Sequence, residues 1–303
     1  MITVIGSLNM DLVTTTEKTP RVGETLIGKD FKSIPGGKGA NQADAIAKLD
    51  GDVVMIGKVG NDEFGDRLKN SLKRDGVDVT YIKEVKDIST GIASIIVNGD
   101  GDNSIVVVPG ANFKLNKTDI DKSIEALEKS DIIVSQLEIP IDTVKYSFKK
   151  AKELAKFTIL NPAPANKLDD ELIANIDLLT PNETELETLS GVSIKNEDDI
   201  LKAANVLIEK GVKELIVTTG EKGCLYINEY KHKSYKAHKV DVKDTTAAGD
   251  SFTAALAVAL SEGKNMDNAI TLALKVAGLT VTKKGAQSSL PTKDDVKSFK
   301  GGK

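Results

Sequence analysis

The sequence predicts an α/β fold of three layers, in which helices cover both faces of a doubly wound, mostly parallel sheet. Short apolar strand patterns alternate with amphipathic helical patterns, as in residues 132–134, 141–154 and 158–160. Near-continuous apolar strands separated by helices are typical of parallel sheets that are buried on both faces. The chain is also long enough for a large core, with 303 residues of which 40% are hydrophobic. We therefore treat residues 1–303 as a single domain.

Two regions depart from this alternation, residues 12–34 and residues 91–108. In the second region, strand patterns at 92–97 and 105–108 flank a turn that contains glycine. We predict that both regions form inserted strand pairs, which together make a small β-strand lid. Strands that leave the main sheet expose an apolar face, and a second subunit could bury that face. The sequence therefore predicts a homodimer formed through the lid.

The charge balance excludes several classes of partner. The 45 acidic and 41 basic residues are well mixed and give a net charge of −4, so no broad positive field would attract nucleic acid or an anionic membrane. The single cysteine, Cys224, excludes an internal disulfide framework and a cysteine-rich zinc site. The N-terminus has no signal pattern, and no apolar stretch approaches the roughly 18 residues of a membrane span. We expect a soluble, cytoplasmic protein with small-molecule partners and a disordered tail at 300–303.

Residues 36–43 (GGKGANQA) place glycines directly before a helical pattern that continues through Leu49. Glycines let backbone approach a ligand closely, and Lys38, Asn41 and Gln42 offer polar groups at the helix start. This pattern suits a polyhydroxylated ligand. The spacing, and the glycine that follows Lys38, exclude a P-loop. A glycine-rich strand-to-helix turn with an exposed lysine is the structural alternative.

Two further segments carry polar residues near predicted strand ends. Asn9 and Asp11 follow the first strand, where parallel sheets collect their ligands, so they could bind hydroxyl groups. Turn formation is the more common role of such residues, and composition alone favours it. After Pro181, Asn182 and Glu185 suit either a capped helix start or an oxygen-rich site for hydrated Mg²⁺. Spacing does not choose between these two roles.

Residues 244–250 (DTTAAGD) form a loop of small residues that leads directly into the apolar run 252–260. Such a loop turns several backbone N–H groups toward one point, where the helix dipole also favours negative charge, so it predicts an anion site. Asp250 stands at the mouth of this site, and a carboxylate there suits a base for phosphoryl transfer. A helix cap is the alternative role for Asp250.

Taken together, these segments resemble the ribokinase family of sugar kinases over nearly the whole chain, from Gly6 to Pro291. The segments that carry the resemblance are 36–43 and 244–252, which are similar to the family's two signatures, and 161–165, 180–185 and 284–289. The resemblance implies a doubly wound α/β domain with a β lid that also forms the dimer contact. It further implies ATP-dependent phosphorylation of D-ribose at the 5-hydroxyl.

The resemblance assigns a role to each matching residue on the sugar side. Asp250 would take the proton from the sugar hydroxyl. The backbone N–H groups of Ala247, Ala248 and Gly249 would stabilise charge on the transferring phosphoryl group. The residues beside the sugar would be Asn9, Asp11, Gly37, Lys38, Asn41 and Glu138.

The resemblance also implies ATP, Mg²⁺ and a monovalent cation, K⁺, as cofactors. Asn182 and Glu185 would face the ATP phosphates and the magnesium hydration shell, with Gly249 beside the nucleotide. The segment that would hold the nucleotide consists of Thr218, Thr219, Gly220, Glu221, Lys222 and Gly223. The matching ligands of the monovalent cation are Asp244, Thr246, Thr280, Lys283, Gly285 and Ser289.

Two alternative functions stay open. A kinase of the same fold could act on fructose, deoxyribose, a nucleoside or a keto-deoxy sugar acid, although an aromatic content of 4% argues weakly against base stacking by a nucleoside kinase. A non-catalytic sugar-binding protein would be expected to lack the base or the anion loop, whereas Asp250 and Gly249 are both present. The two histidines, His232 and His238, lie in a polar segment and predict surface positions, so we expect neither histidine chemistry nor protein-held zinc.

Overall fold

The computed structural model describes residues 1–299 and residue 301. Of the tail that the sequence predicts to be disordered, residues 300, 302 and 303 lie outside the described residues. Within the described part of the chain, every helix is too short or too polar to cross a membrane.

The described residues form thirteen strands, eleven α-helices and three short 3₁₀ helices. The strands are β1 (Ile2–Ile5), β2 (Asn9–Thr15), β3 (Asp30–Gly36), β4 (Val53–Gly60), β5 (Asp78–Val85), β6 (Gly91–Val97), β7 (Asn103–Val108), β8 (Ile132–Ser135), β9 (Phe157–Leu160), β10 (Leu178–Leu179), β11 (Glu214–Thr218), β12 (Cys224–Asn228) and β13 (His232–Tyr235). The α-helices are α1 (Lys38–Lys48), α2 (Glu63–Arg74), α3 (Lys117–Asp121), α4 (Ile124–Lys129), α5 (Ile141–Glu153), α6 (Asp170–Ile173), α7 (Glu183–Ser190), α8 (Glu197–Glu209), α9 (Ala248–Ser261), α10 (Met266–Thr280) and α11 (Lys293–Ser298). The 3₁₀ helices are Gly110–Lys114, Gly220–Lys222 and Gln287–Ser289.

The main sheet contains nine strands in the order β13-β12-β11-β10-β9-β8-β1-β4-β5. From β5 to β11 every neighbouring pair is parallel, whereas β12 pairs antiparallel with both β11 and β13. The first strand lies inside the sheet, between β8 and β4, so the chain winds outward from it in both directions. The predicted doubly wound, mostly parallel sheet is confirmed.

Helices cover both faces of this sheet, because successive side chains of each strand point to opposite sides. In β8, Ile132 and Val134 join the core cluster that contains α9 and α10, whereas Ile133 joins the cluster that contains α5 and α8. The strand and helix patterns predicted at 132–134, 141–154 and 158–160 correspond to β8, α5 and β9. The near-continuous apolar character of these strands therefore reflects burial from two sides.

A second sheet of four strands, in the order β3-β2-β6-β7, lies apart from the main sheet. We call it the small sheet. Its central pair, β2 and β6, is parallel, and its outer pairs are antiparallel. Both regions that depart from helix and strand alternation contribute to it, but β2 begins at Asn9 and β3 ends at Gly36. Asn9 and Asp11 therefore belong to the small sheet, rather than to the end of the first strand.

Polar residues collect at one edge of the main sheet, because the carboxyl ends of its parallel strands all lie there. Ser7 follows β1, Glu138 follows β8, Asn161 follows β9, and Asn182 follows β10, while Thr218 ends β11. The small sheet stands over this edge, since β2 begins shortly after β1 ends. The fold thus brings polar groups from distant parts of the sequence to one place.

Candidate active site

A cavity of about 430 Å³ lies between the carboxyl edge of the main sheet and the small sheet. The two glycine-containing segments, residues 36–43 and residues 244–250, both contribute to its lining. The predicted site residues that line it are Asn9, Asp11, Gly37, Lys38, Asn41, Glu138, Asn182, Glu185, Thr218, Thr246, Ala247, Ala248, Gly249 and Asp250.

The N-terminus of α1 is filled by a side chain of the protein itself. Oε2 of Glu138 accepts a 3.1 Å hydrogen bond from the backbone N–H of Lys38, and it also accepts from the hydroxyl of Ser7. Ser7 in turn accepts from the next two backbone N–H groups, those of Gly39 at 3.3 Å and Ala40 at 2.9 Å. The helix dipole favours a carboxylate at this position. The first turn of α1 therefore leaves no open anion site.

The glycine at position 37 is required by packing, and it also lines the cavity. Gly37 precedes α1 with a φ of +90°. A Cβ atom there would lie 2.6 Å from the backbone nitrogen of Asn9 and 3.0 Å from the backbone of Leu8. Glycine is required because α1 crosses so close to the connection between β1 and β2. The sequence interpretation of this glycine as a ligand-approach residue is incomplete.

Asp250 is the third residue of α9, and its carboxylate is held by two amides of α1. Oδ2 accepts a 3.0 Å hydrogen bond from Nδ2 of Asn41, and Oδ1 accepts a 3.3 Å bond from Nε2 of Gln42. The N-cap position belongs to Ala247, which makes no side-chain cap. The alternative that Asp250 is a helix cap is therefore wrong. Its carboxylate lies at the cavity, 6% exposed.

The N-terminus of α9, in contrast to that of α1, is open. Ala247 has a φ of +62°, which turns the backbone sharply into the helix. The N–H of Ala248 donates to the carbonyl of Thr245 at 3.2 Å, but the N–H groups of Ala247 and Gly249 have no acceptor among the described residues. A Cβ added at Gly249 would meet no atom within 4 Å. Two of the three predicted N–H donors thus remain available to an anion.

Lys38 is the only basic side chain that lines the cavity within the described part of the chain. Burial acts to lower its pKa, but the carboxylates of Asp250, Glu138, Glu185 and Asp11 outweigh burial and hold the pKa above its ordinary value. Lys38 is therefore a stable positive charge among four acidic side chains. It offsets part of their mutual repulsion.

Lys38 offsets only part of the negative charge in the cavity. Burial raises the pKa of Asp11 from 3.8 to about 7, with further increases from Glu138 and Asp250 and a partial decrease from Lys38. Burial also raises the pKa of Glu185. A cavity with this charge favours ligands that bring hydroxyl donors or positive charge.

Asn182 and Glu185 form a capping box at the start of α7. Oδ1 of Asn182 accepts a 2.7 Å hydrogen bond from the backbone N–H of Glu185, and Oε2 of Glu185 accepts a 2.9 Å bond from the backbone N–H of Asn182. The capped-helix alternative is therefore correct as a structural description. It does not exclude a second role, because both residues line the cavity and Glu185 has a second carboxylate oxygen outside the box.

The predicted nucleotide segment divides between two cavities. Thr218 lines the main cavity, whereas Thr219 and Lys222 line a separate cavity of about 120 Å³ beside β12, β13 and α8. The remaining residues of the segment line neither of these cavities: Gly220, Glu221 and Gly223. The structure therefore does not bring the whole segment into one pocket.

The residues assigned to the monovalent cation lie in the loop before α9, at the end of α10 and in the segment that follows α10. Oδ1 of Asp244 accepts hydrogen bonds from the backbone N–H and the hydroxyl of Thr246, at 2.9 Å and 2.6 Å. Its Oδ2 accepts a 2.8 Å bond from the backbone N–H of Gly285. Burial acts to raise the pKa of Asp244, but these hydrogen bonds prevail and lower it. An ionised Asp244 thus ties the loop before α9 to the segment that follows α10.

The other predicted cation ligands have internal partners. The hydroxyl of Thr280 donates to the hydroxyl of Ser251 in α9 at 2.9 Å, and the carbonyl of Thr280 accepts from the N–H of Lys283 at 3.2 Å. The hydroxyl of Ser289 donates to the carbonyl of Ala286 at 2.7 Å. No group of three or more His, Cys, Asp or Glu side chains suited to a metal occurs among the described residues. A cation here would depend on hydroxyl and carbonyl oxygens.

Sequence reasoning missed the apolar side of the cavity. Ala93 and Ile95 of β6, and Ile105 and Val107 of β7, line it from the small sheet. These residues alternate along each strand, so period-two spacing is the signal that could have identified them. They form an apolar cover opposite the polar edge of the main sheet.

Several buried polar residues were also missed. The sequence predicts Gln42 as a polar group for a ligand at the helix start, whereas its Nε2 donates to Oδ1 of both Asp250 and Asn161 at 3.3 Å. Its Oε1 accepts from Gln136, which follows β8. Nδ2 of Asn161 donates to the carbonyl of Thr180 at 3.1 Å. These contacts join strand ends that only the folded sheet brings together, so no local pattern announces them.

Transfer of a phosphoryl group needs stabilisation of an anion and an acceptor oxygen aligned with it. The open N-terminus of α9 has N–H groups that can stabilise an anion, and the fixed carboxylate of Asp250 lies in the same cavity. Amides and carboxylates suited to several hydroxyl groups surround that carboxylate. The class of protein that this fold and site define is a kinase of small polyhydroxylated molecules.

Comparison with known proteins agrees with this class. The pfkB family of carbohydrate kinases matches residues 1–293. The chain is 41% identical over 298 residues to ribokinase of Haemophilus influenzae, covering 98% of this chain and 97% of that protein. It is also 41% identical to deoxyribokinase of Salmonella typhi, covering 96% and 95%. The structure of Arabidopsis thaliana ribokinase complexed with ribose and ATP matches with a TM-score of 0.94 and 34% identity, covering 98% of each chain.

The chain belongs to the pfkB family of carbohydrate kinases. The family match and the relatives span nearly its whole length, so the family assignment does not depend on one motif.

Proposed function

We propose that the protein catalyses ATP-dependent phosphorylation of D-ribose at the 5-hydroxyl, giving ribose 5-phosphate and ADP. The observation that carries this proposal is the position of Asp250, whose carboxylate lines the cavity beside the available N–H groups of Ala247 and Gly249. The ribokinase relative, and the ribokinase structure complexed with ribose and ATP, support the choice of this sugar and nucleotide.

The sugar would bind between the first turn of α1 and the small sheet. Asp11 and Glu138 offer acceptors for hydroxyl protons. Oδ1 of Asn41 is buried and has no hydrogen-bond partner among the described residues, although its Nδ2 is used by Asp250. A buried acceptor without a partner costs free energy of about 1–3 kcal/mol, so a sugar hydroxyl that donates to it would be favourable. The apolar cover would exclude water from the opposite side.

In the proposed reaction, Asp250 accepts the proton of the 5-hydroxyl. The oxygen of that hydroxyl forms a bond to the γ-phosphorus of ATP, and the bond between the γ-phosphorus and the bridging oxygen of ADP breaks. Phosphoryl transfer has a loose transition state, so the proton can move late and a carboxylate suffices as base. The N–H groups of Ala247 and Gly249 would stabilise the charge on the transferring group. The mark of a non-catalytic relative, loss of the base or the open helix end, does not occur here.

The donors around the cavity fit a hydrated Mg²⁺ on the phosphate side. Glu185 keeps one carboxylate oxygen outside its capping box, and Asn182 lies beside it. Hydrated Mg²⁺ usually binds one or two carboxylates together with substrate phosphates. When bound, the ion would neutralise charge on the ATP phosphates. Lys38 would supply a second positive charge in the same cavity.

We also propose K⁺ as an activating cation at the loop before α9. The donor set fits, because an ionised Asp244 already joins Thr246 and Gly285, and hydroxyl and carbonyl oxygens of Thr280 and Ser289 lie on the adjoining segments. A bound cation would fix this loop without touching the substrate. KCl should therefore raise the melting temperature more than an equal concentration of tetramethylammonium chloride. Equal melting temperatures, together with equal turnover, would exclude the cation.

The proposed homodimer would form through the small sheet. Strand β7 lies at its edge, and Val106 and Val108 are 65% and 44% exposed. An edge strand with exposed large apolar side chains favours burial against another chain. Val106→Glu should convert the dimer into monomers in sedimentation experiments. A monomeric wild-type protein would contradict the proposal.

A cytoplasmic location would accord with the use of ATP.

Phosphorylation of 2-deoxyribose is the second candidate, because the deoxyribokinase relative is as similar to this chain as the ribokinase relative, at 41% identity. ATP turnover should therefore be measured against a panel of pentoses, hexoses and nucleosides, with and without K⁺. The proposal expects the highest turnover with D-ribose in the presence of K⁺. Absence of turnover with ribose, alongside turnover with another sugar, would leave only the family assignment.

A further inference from the structure

Asn112 is a buried polar residue that lies outside the predicted site. It belongs to the 3₁₀ helix Gly110–Lys114, which follows the last strand of the small sheet, and it is 1% exposed. Its Oδ1 accepts a 2.9 Å hydrogen bond from the backbone N–H of Leu8, and its Nδ2 donates a 3.1 Å bond to the carbonyl of Leu8. A backbone N–H can only donate and a carbonyl can only accept, so these bonds determine which end of the Asn112 amide is oxygen.

The orientation of Asn112 then determines that of Asn9. Nδ2 of Asn112 also donates to Oδ1 of Asn9 at 2.7 Å. Asn9 must therefore turn its own Nδ2 to the other side, where it lies 3.5 Å from Oε2 of Glu138. Asn9 lines the main cavity. Its amide thus presents N–H donors to that cavity, beside the acceptor carboxylates of Asp11 and Glu138.

We infer that Asn112 is a positioning residue, which keeps Asn9 a hydrogen-bond donor toward the sugar and so helps to determine the hydroxyl pattern that the pocket accepts. Asn112 acts from behind Asn9, since it is not part of the lining of the cavity. The inference rests on the proposed sugar kinase function. The backbone groups of Leu8 orient the Asn112 amide, and that amide in turn makes Asn9 a donor.

The small sheet packs directly on this hydrogen bond. Gly91 is the first residue of β6, and a Cβ atom there would collide with both Nδ2 of Asn112 and Oδ1 of Asn9. Only glycine allows β6 to pass over the bond at this distance. The pair can therefore be disturbed in two independent ways, by changing Asn112 itself or by adding a methyl group at Gly91.

The direct test is Asn112→Asp, which preserves size but removes the donor. Asn9 would then have to turn its Nδ2 toward the introduced carboxylate and its Oδ1 toward Glu138, so the cavity loses a donor. We expect the KM for ribose to rise about 10-fold or more, with kcat within a factor of about three and an unchanged KM for ATP. Gly91→Ala should show the same selective loss of ribose affinity.

Asn116→Asp is the matched control, because it makes the same change in the same segment at an exposed N-cap, where Asp is an equally good cap. It should leave both KM values unchanged. The Asn112→Asp penalty should also shrink for whichever of 1-deoxyribose, 2-deoxyribose and 3-deoxyribose lacks the hydroxyl bound by Asn9.

Wild-type ribose affinity in both Asn112→Asp and Gly91→Ala would overturn the inference. So would an equal penalty for all three deoxy sugars and ribose, since that outcome indicates general damage. If the wild-type enzyme itself does not phosphorylate ribose, the proposed function fails instead, and the same comparison on its true sugar still tests Asn112.

Discussion

Nδ2 of Asn41 donates a 3.0 Å hydrogen bond to Oδ2 of Asp250, and this bond joins the first turns of α1 and α9 across 209 residues of sequence. The two helices contribute different ends to the cavity. The N-terminus of α1 is filled by Glu138, whereas that of α9 is open. The bond therefore fixes the base at the boundary between a sugar-binding side and a phosphate-binding side.

Asp250→Asn should lower kcat by about 10² or more while leaving the dissociation constant for ribose nearly unchanged. The amide cannot accept the hydroxyl proton, but the side chain keeps its size. The Oδ1 of the introduced amide can still accept the hydrogen bond from Nδ2 of Asn41, so Oδ1 of Asn41 stays available to the sugar. Steady-state kinetics and ribose calorimetry without ATP measure the two effects separately.

Asp241→Asn provides the control for this change, since Asp241 is exposed and lies in the segment before the same loop. It should not affect kcat. Turnover by Asp250→Asn at the wild-type rate would remove Asp250 from the role of base.

Asp11→Asn should stabilise the protein at high pH. Folded Asp11 has a pKa of about 7 against an ordinary value of 3.8, so the folded state binds its proton more tightly than the unfolded state. Its contribution to stability is therefore complete below pH 3.8 and is lost as the pH rises to about 7. The advantage of the variant should grow over this interval and become constant above it.

The expected difference at pH 8 is about 1–3 kcal/mol, given about 1.4 kcal/mol for each pKa unit and some solvent screening. Urea denaturation of both proteins from pH 4 to pH 8 measures it, with the exposed Asp52→Asn as control. A pH-independent difference between wild type and Asp11→Asn would show that the charge on Asp11 is not the cause.

Lys48→Met should destabilise the protein by about 3–5 kcal/mol, because it leaves a buried carboxylate without its partner. Nζ of Lys48 lies 2.9 Å from Oδ2 of Asp44, and the two side chains are 20% and 0% exposed. Lys48 also donates to the carbonyl of Gln287 at 2.6 Å, so it connects α1 to the segment after α10. Chemical denaturation measures the loss.

Lys129→Met is the matched control, since Lys129 and Glu125 form a pair with the same i,i+4 spacing but are both 63% exposed. That variant should lose no more than about 0.5 kcal/mol. Similar losses for the two variants would mean that burial does not distinguish the pairs. The double variant Asp44→Asn with Lys48→Met should recover part of the stability.

Local patterns predicted the elements whose burial is regular. Near-continuous apolar runs identified β8 and β9, and a helical pattern identified α5. The interruption of the strand and helix alternation identified the strands of the small sheet. The turn of small residues before α9 also has a local signature, because an open helix N-terminus is built from consecutive residues. These features need little knowledge of the rest of the fold.

Contacts between distant segments could not be predicted in this way. Nothing in the residues around Glu138 indicates that its carboxylate fills the N-terminus of α1, and it was identified only through resemblance to a family. Likewise, Asn112 gains its role from Leu8 and Asn9, more than 100 positions away. Such roles depend on strand order, which places these segments side by side.

The most direct test of the proposed activity is a competition in which the enzyme receives ATP with equal concentrations of D-ribose and 2-deoxy-D-ribose, followed by ³¹P NMR of the products. The ratio of initial rates reports the ratio of the two kcat/KM values. We predict that ribose 5-phosphate forms first and in excess. Predominant formation of 2-deoxyribose 5-phosphate, or of a phosphate on any other hydroxyl, would contradict the proposed activity.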